Sequence, residues 1–254
     1  MRRRALVGTA VNRAVILVAL LCAGLGFALW QRQAGAVDDV TASPADAPET
    51  ADDGSGSTDT ESATADAVDA ANPFAQSAGA TMAQDTSDAN VQAGLATIKT
   101  SEGTDTADDP YRVCYAYKHT VQDMSRHPAE WYTDASGTRT REWGGEPLDN
   151  LGPTYAGLVS TAAGAYQIKL ATWAGCKKAL ALPDFSAASQ DAAAVYLIQG
   201  RKGLDALKAG NFDSFVALCA PEWASLPGAN YAGQGMRSID ALRAEFTSDG
   251  GTIV

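Results

Sequence analysis

The chain has 254 residues, with 19 Lys and Arg against 30 Asp and Glu and a formal net charge of −11. It holds no basic stripe interleaved with aromatics, which excludes nucleic acid as the main partner. The acidity is uneven: residues 37–90 carry twelve Asp and Glu, no Lys or Arg and one aromatic, whereas 91–254 carry fourteen Lys and Arg against eighteen Asp and Glu.

At the amino terminus, Arg2, Arg3, Arg4 and Arg13 precede residues 14–30, an uncharged and mostly apolar run ending at Trp30. At ~1.5 Å per residue this run spans about 25 Å, enough for a short membrane-spanning helix. The basic flank stays in the cytoplasm, so the rest of the chain is expected on the periplasmic side of the inner membrane. Ala34-Gly35-Ala36 could instead end a cleaved signal peptide, with release of the domain to the periplasm. Arg32 and the length of the apolar core favour an uncleaved signal-anchor over residues 1–36. Residues 37–89 bury too little apolar surface to offset their ordering entropy and read as an acidic disordered tether. Residues 90–254 are long enough for one well-packed domain.

Within the domain, Val91, Leu95 and Ile98 recur at helical spacing and predict a helix over 90–102, stopped by Gly103. Residues 111–143 mix aromatic and β-branched residues with Gly, Pro and Asp and predict short strands or an irregular lobe. From Ala162 onward the pattern is helical: Ser160 or Thr161 caps a segment whose Tyr166, Leu170, Trp173 and Leu180 share an apolar face. Ser189 opens the next helix, residues 203–219 hold two short ones broken at Gly210-Asn211, and 235–247 form the last. In the last, Met236, Ile239, Leu242 and Phe246 face inward. Helices around a small strand-rich lobe make an α+β domain.

Cys114, Cys176 and Cys219 in the domain and Cys22 upstream contain no zinc-binding spacing. Export makes one domain disulfide reasonable; the alternative is that all are small buried hydrophobes. If residues 14–30 left the bilayer, Cys22 could exchange with such a disulfide. His119, Asp123 and His127 fall at i, i+4, i+8, but Pro128 argues against the sustained helix a metal site would need there. No metal or cofactor is expected.

Glu102 sits at the carboxyl end of the first helix, where the dipole disfavours negative charge and raises a carboxyl pKa. Such a group is either an exposed last-turn Glu or a general acid. A partner carboxylate among Asp105, Asp108, Asp109 and Asp123 cannot be singled out by spacing.

Ser101-Glu102-Gly103-Thr104, Asp123 with His127-Pro128, STAAGAYQ over 160–167, DFSAASQDAA over 184–193, WASLPGA over 223–229 and the later YAGQ occur in that order. Together they resemble the lambda-like phage endolysins, lytic transglycosylases of glycoside hydrolase family 104. The likeness spans about residues 90–246 and is weakest over 130–153, which is longer here. It implies a lysozyme-like, mainly helical fold with a small β lobe, acting as a monomer on peptidoglycan glycan strands. It further implies that Glu102 is the general acid/base at the MurNAc-GlcNAc β-1,4 bond and that the product is a 1,6-anhydro sugar. Ser160, Tyr166, Gln167, Trp223 and Tyr231 match positions that bind substrate, although Trp223 reads equally well as core. Ala165 stands where the family has a basic residue. A hydrolytic lysozyme, or a membrane-tethered module that binds peptidoglycan without cutting it, are the alternatives.

Overall fold

The computed structural model describes residues 85–229 and 237–254, with Ser77 and Thr81. The expected membrane span at 14–30, Cys22 and most of the acidic tether lie outside the described residues. Among the described residues no helix is long and apolar enough to cross a membrane.

Helix α1 (Ala89–Glu102) starts at Asp88, whose carboxylate accepts from the backbone N–H groups of Asn90 and Val91. It ends at Gly103, whose left-handed φ of 72° lets its N–H reach back to the last carbonyls. Val91, Leu95 and Ile98 are buried, and the helix packs on α3 (Ala187–Gly200), α4 (Leu204–Lys208) and α6 (Ile239–Ser248). Each such aliphatic side chain contributes about 1.5–3 kcal/mol when fully buried. Gly94 is the close-approach point, since a Cβ there would lie 2.6 Å from a methyl of Leu207.

The lobe after α1 is built from four 3-10 turns (Pro110–Arg112, Tyr115–Tyr117, Asp149–Leu151 and Pro153–Tyr155) and four two-residue strands. Strand β1 (Tyr132–Thr133) pairs antiparallel with β2 (Arg139–Thr140), Tyr132 opposite Thr140. Strand β3 (Glu146–Pro147) pairs with β4 (Val159–Ser160), Glu146 opposite Ser160. A small apolar cluster of Tyr115, Leu148, Tyr155 and Ala162 holds the lobe, with Trp143 bridging it to the main core.

The predicted helix from Ala162 is corrected: helix α2 spans Leu170–Leu180, and residues 162–168 form a tight loop. Tertiary pairing overrides the local preference. Ala162 O accepts from Tyr115 N at 2.8 Å, Gly164 N donates to Val113 O at 2.8 Å, and Ala163 bridges both Cys114 and Ile168. Thr161 still serves α2, its Oγ1 accepting from Leu170 N at 3.1 Å, whereas Ser160 ends β4. Trp173 and Leu180 are buried as expected, and Trp173 meets Phe185 edge to face at 4.7 Å.

Helix α3 is capped by Ser186, three residues before the expected Ser189, whose hydroxyl instead donates to Asp184. Helices α4 and α5 (Phe212–Cys219) break at Gly210-Asn211 as predicted, Gly210 having φ of 75°. Helix α6 begins at Ile239, four residues later than expected, because Ser238 caps it. Its Leu242 and Phe246 are fully buried, and Phe246 lies 4.9 Å from Phe212 between ring centres.

The expected domain disulfide is not formed. Cys114, Cys176 and Cys219 are free and buried, and burial pushes each thiol up to about 12. They are small hydrophobes in the core, which removes the bond with which Cys22 was to exchange.

Candidate active site

Glu102 closes α1 facing inward, and only 9 % of its surface is exposed. Removal from water pushes its carboxyl up to about 7, against the opposing pull of a hydroxyl donor, Ser225. Ser225 Oγ donates to Glu102 Oε1 at 2.6 Å across 123 residues of sequence. Near neutrality the group is therefore divided between acid and carboxylate, the condition for giving and then taking a proton.

Glu102 lies in the wall of a cleft with Tyr115, Gln167, Lys169, Glu222 and Trp223. Gln167 is held at a positive φ of 49°, a conformation that the tight loop imposes. Its amide nitrogen donates to Val113 O and Gly164 O, both at 3.0 Å, so its carbonyl oxygen is the end of the amide not used in these bonds. Tyr115 Oη is buried with no hydrogen-bond partner among the described residues, at the cleft wall.

Tyr166 also lines the cleft, but its hydroxyl turns away to Asp191 Oδ1, which accepts from Tyr111 as well. Its carbonyl accepts from Trp223 Nε1 at 3.1 Å. Trp223 is 3 % exposed, so within the cleft wall it is a strut that leaves little ring face for stacking. Ser160 is buried in β4 and outside the cleft lining, its Oγ near Ala162 N. Tyr231 lies outside the described residues. Ala165 is fully buried: its N–H reaches Gln190 Oε1 and its carbonyl accepts from Thr104 Oγ1 at 2.6 Å.

Asp105, Asp108, Asp109 and Asp123 are all absent from the cleft wall. The second carboxylate there is Glu222, which no local motif marks; burial raises its pKa and Arg201 holds it at 2.8 Å. Ser225 belongs to the WASLPGA motif at 223–229, but its bond to Glu102, like the place of Glu222 in the cleft, depends on contacts far along the chain that no spacing marks.

The three residues weighed as metal ligands do not converge. His127 is buried, donating from Nε2 to Ile168 O and accepting at Nδ1 from Ala129 N, and burial lowers its pKa to about 4. His119 meets Glu142 at 2.7 Å, and Asp123 caps Ser125. Among the described residues no group of His, Cys, Asp and Glu could hold a metal.

The family model described as Endolysin matches residues 92–253. The chain belongs to the endolysin family. It is 37 % identical to the endolysin of Escherichia phage P2 over 162 residues, covering 64 % of this chain and 93 % of that relative. With the endolysin of Escherichia phage lambda it is 43 % identical over 96 residues, 38 % of this chain and 60 % of the relative. A solved structure of bacteriophage lambda lysozyme complexed with a chitohexasaccharide is 33 % identical with a TM-score of 0.52, covering 65 % of this chain and 97 % of that one. The α+β, lysozyme-like fold implied by the motifs is therefore the fold of this lambda-like endolysin, a peptidoglycan-degrading enzyme.

Proposed function

We propose that this endolysin is a lytic transglycosylase that cleaves the MurNAc-GlcNAc β-1,4 bond, with Glu102 as its one general acid/base. The observation that carries the reading is the buried Glu102 carboxyl in the cleft, raised to about 7 and held by Ser225. Protonated Glu102 gives its proton to the glycosidic oxygen as the C1–O bond breaks. The resulting carboxylate takes the proton of the muramic C6 hydroxyl as that oxygen attacks C1. A 1,6-anhydro ring forms, Glu102 regains its proton, and no water enters the balance. The carbonyl of Gln167, left over when its amide nitrogen binds Val113 O and Gly164 O, is the group that would orient the sugar. The sugar-bound relative makes a glycan strand the natural occupant of the cleft.

Glu222 supports a second reading, hydrolysis with water activated by that carboxylate, but its pairing with Arg201 weighs against it. Mass spectrometry of digested peptidoglycan separates the two. The expected ends are about 18 Da lighter than reducing muramic ends, the mass of the excluded water; free reducing ends alone would assign the enzyme as a hydrolase. Glu102→Gln is expected to lower the rate about 10²–10⁴-fold. Wall clearing by that variant at the parent rate would refute the role of Glu102. Residues 14–30 are proposed to tether the enzyme, acting as a monomer, to the inner membrane with its cleft in the periplasm. Fractionation of cells expressing the full chain tests this, recovery from the soluble fraction alone being the contrary result.

A further inference from the structure

Two arginines, Arg139 and Arg141, stand two residues apart on the β1–β2 hairpin. The register that sets Tyr132 opposite Thr140 puts Arg139 and Arg141 on the same face as Trp131. Both guanidinium groups lie over the Trp131 ring, at 5.0 and 4.5 Å from its centre. All three residues are exposed. Neither arginine has a carboxylate partner among the described residues. The nearby acids are engaged elsewhere: Glu130 with Lys177, Glu142 with His119, Asp123 with Arg126, and Asp134 with Ser136 and Thr138. A domain with more acids than bases thus keeps two unneutralised, pre-stacked guanidiniums side by side.

We propose that this face docks the carboxylate-bearing peptide stems of peptidoglycan, a surface outside the cleft that selects stem-bearing glycan. The reading rests on the peptidoglycan-degrading function proposed above. Sugar stacking is the usual use of an exposed Trp, but here two guanidiniums lie over a ring that stays 47 % exposed, so cations share the face with it. Beside the ring they present planar N–H forks, which match carboxylates. Stacking on Trp131 fixes those forks and lowers the entropy lost on binding. The reach also fits. The hairpin is anchored to the cleft by His127 on Ile168 O, and Ile168 lines the cleft. Trp131 follows His127 by four residues, at most ~14 Å of chain, comparable to an extended stem of roughly four residues.

The test uses the full chain carrying Glu102→Gln, so that binding is read without cleavage. Its cosedimentation is measured with insoluble peptidoglycan, with the same polymer stripped of stems by an amidase, and with phosphatidylglycerol vesicles. Adding Arg139→Gln and Arg141→Gln is expected to weaken binding to intact peptidoglycan about tenfold, less so at high salt. On stripped glycan the two proteins should bind alike, both at the weakened level. Adding Arg139→Lys and Arg141→Lys instead keeps the charge without the fork and should fall in between. Three results would overturn the proposal: equal binding of parent and glutamine variant to intact polymer, the same tenfold loss on stripped glycan, or arginine-dependent binding that prefers the vesicles. Failure of the parent to bind either polymer would overturn the wall-degrading reading along with it, whereas binding indifferent to the arginines overturns only the stem surface.

Discussion

Glu102 shows how one side chain acquires two protonation roles. Desolvation favours its neutral form and the Ser225 hydroxyl favours its charged form, and desolvation wins, leaving the carboxyl at about 7. Removing the hydroxyl takes away the opposing influence. Ser225→Ala should therefore let Glu102 hold its proton to higher pH, and the alkaline limb of the pH–rate profile should move upward. Lys169 and Glu222, the other charged groups on the cleft wall, are unchanged in that variant and serve as the fixed background. Superimposable profiles for parent and Ser225→Ala would show that the hydroxyl does not act on the proton. A Ser225→Thr variant, which keeps the donor, should restore the parent limb.

At the scale of elements, the cleft depends on the 162–168 loop and on the helix that pins it. Gln190 of α3 accepts from Ala165 N and donates to Tyr111 O and Phe185 O, while Asp191 gathers the hydroxyls of Tyr111 and Tyr166. Consecutive residues on one helix thus hold the two residues before Gln167, Ala165 by its backbone N–H and Tyr166 by its hydroxyl. Gly164 makes the approach possible: its φ is 79° and a Cβ would fall 2.1 Å from Gln190 Oε1. Gly164→Ala combines a left-handed backbone cost of ~1–2 kcal/mol with displacement of a buried amide, for a total of about 2–4 kcal/mol. Thermal unfolding should report that loss, and turnover should fall further than stability explains because Gln167 moves with the loop. A variant as stable and active as the parent would show that the loop tolerates repacking.

For the whole molecule, the stabilising force is burial rather than cross-linking. α1, α4, α5 and α6 enclose Ile98, Leu207, Phe212 and Phe246, and the three domain cysteines fill core positions as thiols. The melting temperature should accordingly be the same with and without a thiol reductant. A drop of several degrees on reduction would reveal a disulfide, whose loss typically costs 2–5 kcal/mol in a small exported domain.

The sequence by itself determined the class of fold, the helix carrying Glu102, the break at Gly210-Asn211 and the inward face of Leu242 and Phe246. These follow from local causes: a period of 3.6, a carboxylate or hydroxyl cap, a glycine at positive φ. It also placed Glu102 and Gln167 through motifs. Only the tertiary structure decided that residues 162–168 are a loop, because their backbone partners lie at 113–115 and outweigh the helix preference of their own side chains. Only the fold could bring Ser225 onto Glu102, set Glu222 in the same cleft, turn Tyr166 toward Asp191 and stack Arg139 and Arg141 on Trp131. Contacts between residues far apart in the chain leave no period and no spacing behind them, and the chemistry of this cleft is made of such contacts.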